Sequence, residues 1–218
     1  MIILRFIISI LLMPVCVIVT ISFYEGIFAI KGVSQSGLYF ILGALIYSIM
    51  HLLLFKLDFL YVFGHESMHA LVTFCSGGKA SSMKVSGKGG SIKTTTPNFF
   101  VMLAPYLMPV YTVIIAIAYF ILSFFIDITK YSGVFIFLVG FTLMFHLAYT
   151  AESMRDKQSD LIKAGYLSSI SFIYIVNLVV VFLIMSFFFK DASFIDFVSA
   201  IYEKTKYFYW SFWKQLFL

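Results

Sequence analysis

His65-Glu66-Ser67-Met68-His69 sets two imidazoles and a carboxylate close together in one short stretch. On a helix, residues four apart differ by about 40° around the axis, so both imidazoles leave the same face. That is the arrangement a metal such as zinc needs from two histidine ligands. Glu66 lies further round the helix. It is badly placed for a third ligand and well placed to take a proton from a water activated by the ion. Phe59-Leu60-Tyr61-Val62-Phe63 precede the motif and Ala70-Leu71-Val72-Thr73-Phe74 follow it. Ionisable groups in such apolar surroundings are costly in a bilayer and mark function. The pattern points to metal-dependent hydrolysis within a membrane.

Composition agrees with a membrane setting. Of 218 residues, 62% are hydrophobic and 11% charged, against about 25% charged in ordinary soluble domains. Apolar runs long enough to cross a bilayer cover roughly 2–23, 37–56, 59–76, 99–126, 133–151 and 161–189. The expected fold is an all-α polytopic membrane protein of about six transmembrane helices. It forms one domain over 1–218, with a core at about 59–189. Arg5 precedes the first apolar run, but no small-residue cleavage site follows, so this segment reads as a retained helix. The net charge of +5 comes mostly from dispersed lysines, which suits headgroup contact and loop orientation and excludes a nucleic-acid surface. Cys16 and Cys75 read as buried small hydrophobes.

Several elements must position the motif. Asp58 is the expected N-cap of its helix and Gly77-Gly78 its end. Residues 79–97 form the one substantial polar loop. They hold two β-prone stretches around Gly87-Lys88-Gly89-Gly90, the pattern of a β-hairpin. Pro105 and Pro109 would kink or break the fourth span. Residues 191–218 mix aromatic rings with lysines and suit an interfacial C-terminal helix. His51, His146 and Asn177 read as buried polar groups making packing hydrogen bonds.

Two histidines do not hold a catalytic zinc, because a third protein ligand is needed. Glu152, Asp156 and Asp160 form the downstream acidic cluster that can supply it. Asp160 opens the last span, and the other two compete with it.

Gly64-His65-Glu66-Ser67-Met68-His69-Ala70 in a span, then Gly77-Gly78, a hairpin, further spans and a late aspartate resemble the site-2 protease family, intramembrane zinc metalloproteases of the M50 class. The resemblance covers roughly residues 59–175. It implies Zn2+ held by His65, His69 and Asp160, with Glu66 as general base. It also implies as substrate a transmembrane or membrane-anchored protein, cleaved in the lipid bilayer. The compact architecture suits a multi-pass protein of a prokaryotic inner membrane. The substrate helix must unwind before attack, and a hairpin strand around Met83, Lys84 and Val85 could pair with it by β-augmentation. The chain departs from the family in having Ser159-Asp160-Leu161 where Leu-Asp-Gly is usual. Leu103-Ala104-Pro105, with Asn98 upstream, stands at the family's Gly-Pro segment. Two other classes compete. One is a membrane metalloprotease of the CAAX-processing or heat-shock type, with Glu152 as third ligand. The other is a non-enzymatic membrane binding or transport protein.

Overall fold

The computed structural model describes the backbone of residues 2–217 and the side chains of 5–217. In chain order the elements are α1 (Ile2–Phe28), α2 (Gln35–Ile49), α3 (Asp58–Cys75), β1 (Ala80–Ser86), β2 (Gly89–Thr94), α4 (Phe99–Leu107), α5 (Val110–Leu122), α6 (Ser132–Arg155), α7 (Ser159–Ala164), α8 (Tyr166–Ser186) and α9 (Phe194–Phe217). A π-helical turn, Met50–Leu54, extends α2, and a short 3-10 turn, Ile128–Tyr131, leads into α6. The chain is mostly helical, with one small antiparallel sheet.

Among the described residues, four helical segments are long and apolar enough to cross a membrane: Arg5–Phe28, Gln35–Leu54, Ile128–Arg155 and Tyr166–Ser186. The pair α4 and α5 makes a fifth if counted together. Helices of this kind mark a membrane protein. The motif helix α3 is not among them, because Asp58, His65, Glu66 and His69 dilute its apolar content.

Two of the expected spans are broken. The stretch 99–126 is two helices bent by 68°. Pro109 has no N–H to continue the ladder, and Met108 before it is extended, at φ −114° and ψ 118°. The stretch 161–189 is also interrupted, since Asp160 belongs to the separate six-residue α7 rather than to the start of the long helix. Gly165, at φ 105°, ends α7 in a conformation that side chains resist, and α8 begins afresh.

Asp58 does not cap α3 with its side chain; Leu57 holds that position, and the Asp58 carboxylate accepts a hydrogen bond from Tyr149 instead. The far end of α3 matches the expectation. Gly77 adopts φ 74°, with Gly78 N–H bonded to Thr73 C=O and Gly77 N–H to Phe74 C=O, which satisfies carbonyls that the helix end leaves open. The hairpin also forms as expected, with Gly87 and Lys88 between its strands. One extra residue in β1 between Ser81 and Lys84 makes a bulge, where Ser82 takes φ 55°. Cys75 is exposed rather than buried.

Contacts divide the chain into two compact units: Gln35–Tyr166, and Met1–Ser34 with Leu167–Leu218. In the latter unit, Phe23, Phe182 and Phe197 form an aromatic cluster joining α1, α8 and α9. The aromatic tail is one continuous helix, α9. It packs on α1 through the Lys204–Glu25 ion pair and a hydrogen bond from Tyr209 to Leu11 C=O.

In the former unit the closest crossing is α2 on α6. A methyl on Gly43 would stand 2.0 Å from Phe137 C=O, and one on Gly140 2.1 Å from Phe40 C=O. Each glycine thus lets the other helix's backbone come into contact, the packing that small residues permit in membranes. Gly133, by contrast, faces the Tyr39 ring, a side chain that can yield. Gly43→Leu and Gly140→Leu are each expected to lower stability by at least about 1–3 kcal/mol, the range for overpacking. Gly133→Ala should cost less and Gly87→Ala, with open space around it, nothing. Unfolding curves in detergent micelles check the order.

Candidate metal centre

The centre lies wholly within Gln35–Tyr166 and is built from α3, α4 and α7. One helical turn separates His65 from His69, and their Nε2 atoms stand 3.1 Å apart. Asp160 Oδ2 is 3.4 Å from His69 Nε2 and 3.6 Å from His65 Nε2. A tetrahedral site with ligand bonds of about 2.0–2.2 Å puts ligand atoms roughly 3.3–3.6 Å from one another. Two edges of the triangle fall within that spacing and the third, between the imidazoles, is about 0.2 Å shorter, so these three residues could hold a divalent metal ion.

A hydrogen bond settles which nitrogen His69 turns inward. His69 Nδ1 lies 2.8 Å from Val101 C=O, which can only accept. The proton is therefore on Nδ1, and Nε2 presents its lone pair to the centre. Val101 is held in turn, because its N–H donates to the Asn98 side chain that caps α4. On the other ring, His65 Nδ1 lies 3.2 Å from the Tyr61 hydroxyl. Both imidazoles are buried and Asp160 is half-buried.

Neither competing carboxylate is near. Glu152 faces the other way and takes Lys56 Nζ and His51 Nε2, the latter at 3.2 Å. Asp156 pairs with its neighbour Arg155 on the exposed surface. His51 is a buried histidine between Glu152 and the Tyr47 hydroxyl. Asn177 bonds Ile173 C=O one turn back on its own helix. His146, also buried, lines a cavity of about 20 Å³ beside His65, Pro105, Met108 and Tyr111.

Glu66 lines two larger cavities that flank the centre, of about 280 and 240 Å³, and Asp160 lines both as well. The hairpin closes over it. A methyl on Gly90 would stand 2.8 Å from Glu66 Cγ and 2.6 Å from Val62 Cγ1, so only a glycine lets β2 lie on the motif. Consecutive residues Gly90, Ser91 and Ile92 line the larger cavity. Side chains alternate along a strand, so this is an edge of β2 and not one of its faces. Met83, Lys84 and Val85, singled out from the sequence, sit in β1 and line neither cavity.

Sequence reasoning passed over Tyr61, Val101, Tyr106, Ser153 and Gln158. Tyr61 could have been found, since it precedes His65 by four residues on the motif face. Val101 acts through its carbonyl, which no side-chain pattern reveals. Tyr106 packs edge-on against His65, with ring centroids 5.1 Å apart, and its hydroxyl donates to Gln158 at the start of α7. Gln158 thereby ties the Asp160 helix to a ring that packs on His65.

Comparison with models of known protein families, with curated proteins and with solved structures finds no match to this chain.

Asp160→Ala is expected to weaken zinc binding by more than the roughly 10–100-fold that losing an outer hydrogen-bond partner costs. Glu152→Gln and Asp156→Asn should leave it unchanged. Equilibrium dialysis of the purified protein against zinc measures all three.

Proposed function

We propose that this chain is an intramembrane zinc metalloprotease of the site-2 protease kind, hydrolysing a peptide bond in or near a transmembrane segment of a membrane protein. The observation that carries this reading is the triangle of His65 Nε2, His69 Nε2 and Asp160 Oδ2, with edges of 3.1–3.6 Å and Glu66 beside it. Counting α3 and the bent α4–α5 pair with the four long apolar helices gives six crossings of a prokaryotic inner membrane.

A zinc ion held by the triad would supply Lewis acidity, making a water more acidic and polarising the scissile carbonyl. The chain's own groups do the rest. His65, His69 and Asp160 fix the position of the charge, with each imidazole oriented by a bond at its Nδ1. Glu66 takes a proton from the attacking water as the new C–O bond forms. It then delivers that proton to the amide nitrogen as the C–N bond breaks. Its side chain is buried under Gly90, yet opens into both cavities. An unwound substrate segment has bare backbone N–H and C=O groups. The β2 edge along Gly90-Ser91-Ile92 offers complementary groups within reach of Glu66.

The competing membrane metalloprotease with a glutamate third ligand would need Glu152 at the imidazoles, and Glu152 is instead bound to Lys56 and His51.

Glu66→Gln should retain zinc and lose cleavage by about 10²–10⁴-fold, the usual contribution of a general base. Cleavage of a transmembrane substrate in liposomes, with metal content read in parallel, tests this. Loss of zinc from Glu66→Gln would remove the general-base assignment. Ile92→Pro, which takes an outward backbone N–H from the β2 edge, next to the Lys84–Ser91 pair, is expected to lower cleavage with zinc retained. Full cleavage by that variant would exclude strand pairing there.

A further inference from the structure

The two histidine ligands are not oriented alike. His69 Nδ1 faces a carbonyl oxygen, which by itself dictates the tautomer. His65 Nδ1 faces the Tyr61 hydroxyl, a group that can donate or accept. If Tyr61 donated to His65, the ring proton would move to Nε2, and an N–H would point at His69 Nε2 and Asp160 in place of a lone pair. Something must therefore turn the tyrosine proton away.

We propose that Tyr61 is the positioning residue of the metal centre, and that Ser153 sets the direction of its hydroxyl. Ser153 Oγ on α6 lies 2.5 Å from Tyr61 Oη, the shorter of the two contacts, and Ser153 is buried. The Tyr61 proton goes to Ser153. The Tyr61 oxygen then accepts from His65 Nδ1–H, and His65 Nε2 is left with its lone pair toward the centre. This rests on the metal-centre reading above and adds how one of its ligands is selected.

The surroundings of Tyr61 are built to hold it. Its ring stacks on Tyr149, with centroids 4.4 Å apart and planes 4° from parallel. The Tyr149 hydroxyl is in turn anchored 2.8 Å from Asp58 Oδ1, on the first turn of α3. Gln158, which accepts from Tyr106, lines the same cavity as Tyr61. One phenol thus joins the helix of the two histidines to the helix before the aspartate. The stack orients the ring, and the serine orients the proton.

The test uses the full chain in detergent micelles and zinc itself as the probe. Affinity is read by competition with a chromogenic chelator, and the His65 tautomer by 15N NMR of the metal-free protein. Tyr61→Phe keeps the stacked ring and loses only the hydroxyl. It is expected to bind zinc about 10–100-fold more weakly than the unaltered chain, with His65 no longer held with its proton on Nδ1. Tyr47→Phe, which removes a hydroxyl bonded to His51, should change neither reading. Equal affinity of Tyr61→Phe and the unaltered chain overturns the inference alone. Weakened binding with an unchanged His65 tautomer overturns it too. An unaltered chain that binds no zinc overturns it together with the metal-centre reading. Ser153→Ala leaves Tyr61 in place and removes the acceptor of its proton. It is expected to weaken binding several-fold, and it carries the test should Tyr61→Phe fail to fold; no change in affinity would then sink the proposal.

Discussion

Three electron-rich atoms, two imidazole nitrogens and a carboxylate oxygen, are held with their lone pairs pointing at one another. Without a proton or a cation among them this arrangement repels, and in apolar surroundings the repulsion is little screened. The protein must therefore supply enough packing and hydrogen bonding to keep the three together. A metal cation of the right size would convert the repulsion into binding energy. Much of the unit Gln35–Tyr166 can be understood as the means by which that convergence is enforced.

The enforcement is distributed over elements that touch the centre from different sides. Val101, fixed by the Asn98 cap, holds His69. Tyr61 and Ser153 hold His65. Gln158, bonded to Tyr106, holds the start of the short helix on which Asp160 stands. Further off, Gly43 against Phe137 C=O and Gly140 against Phe40 C=O place α6 on α2, and α6 brings Ser153 and the turn into α7. The hairpin lies on Glu66 through a single glycine, which leaves cavities on both sides of the carboxylate. A second set, the buried His51 with Glu152 and the exposed Lys56, sits at the α2–α3 turn and keeps Glu152 away from His65 and His69.

Much of this was legible in the chain itself. The spacing of His65 and His69 put both rings on one face before any fold was known, and Glu66 off to the side. Gly77-Gly78 announced the helix end, Gly87-Lys88-Gly89-Gly90 the hairpin turn, and Pro109 the break in the fourth apolar stretch. These are local signals, in which a residue's own backbone limits or its periodic neighbours decide the outcome. The misreadings have the same root. Asp58 has the residue type of a cap, yet a tyrosine ninety-one residues away in sequence claims its carboxylate. Met83, Lys84 and Val85 alternate as a strand should, but alternation does not say which of two paired strands will line the cavities beside Glu66.

Sequence alone determined that the chain is apolar enough for a membrane, that it has a helix with two ligand-type histidines, and that a short hairpin follows. Periodicity, composition and turn chemistry act over a few residues, so these properties are fixed wherever the segments end up. Only the tertiary structure decided that Asp160, and neither Glu152 nor Asp156, reaches the imidazoles, that β2 lines the cavity, and that Val101 and Tyr61 orient the rings. Those outcomes depend on where α4, α6 and α7 come to rest around α3. That is set by backbone contacts such as Gly43 on Phe137 C=O and by hydrogen bonds between residues far apart in the chain, which leave no periodic trace in the sequence.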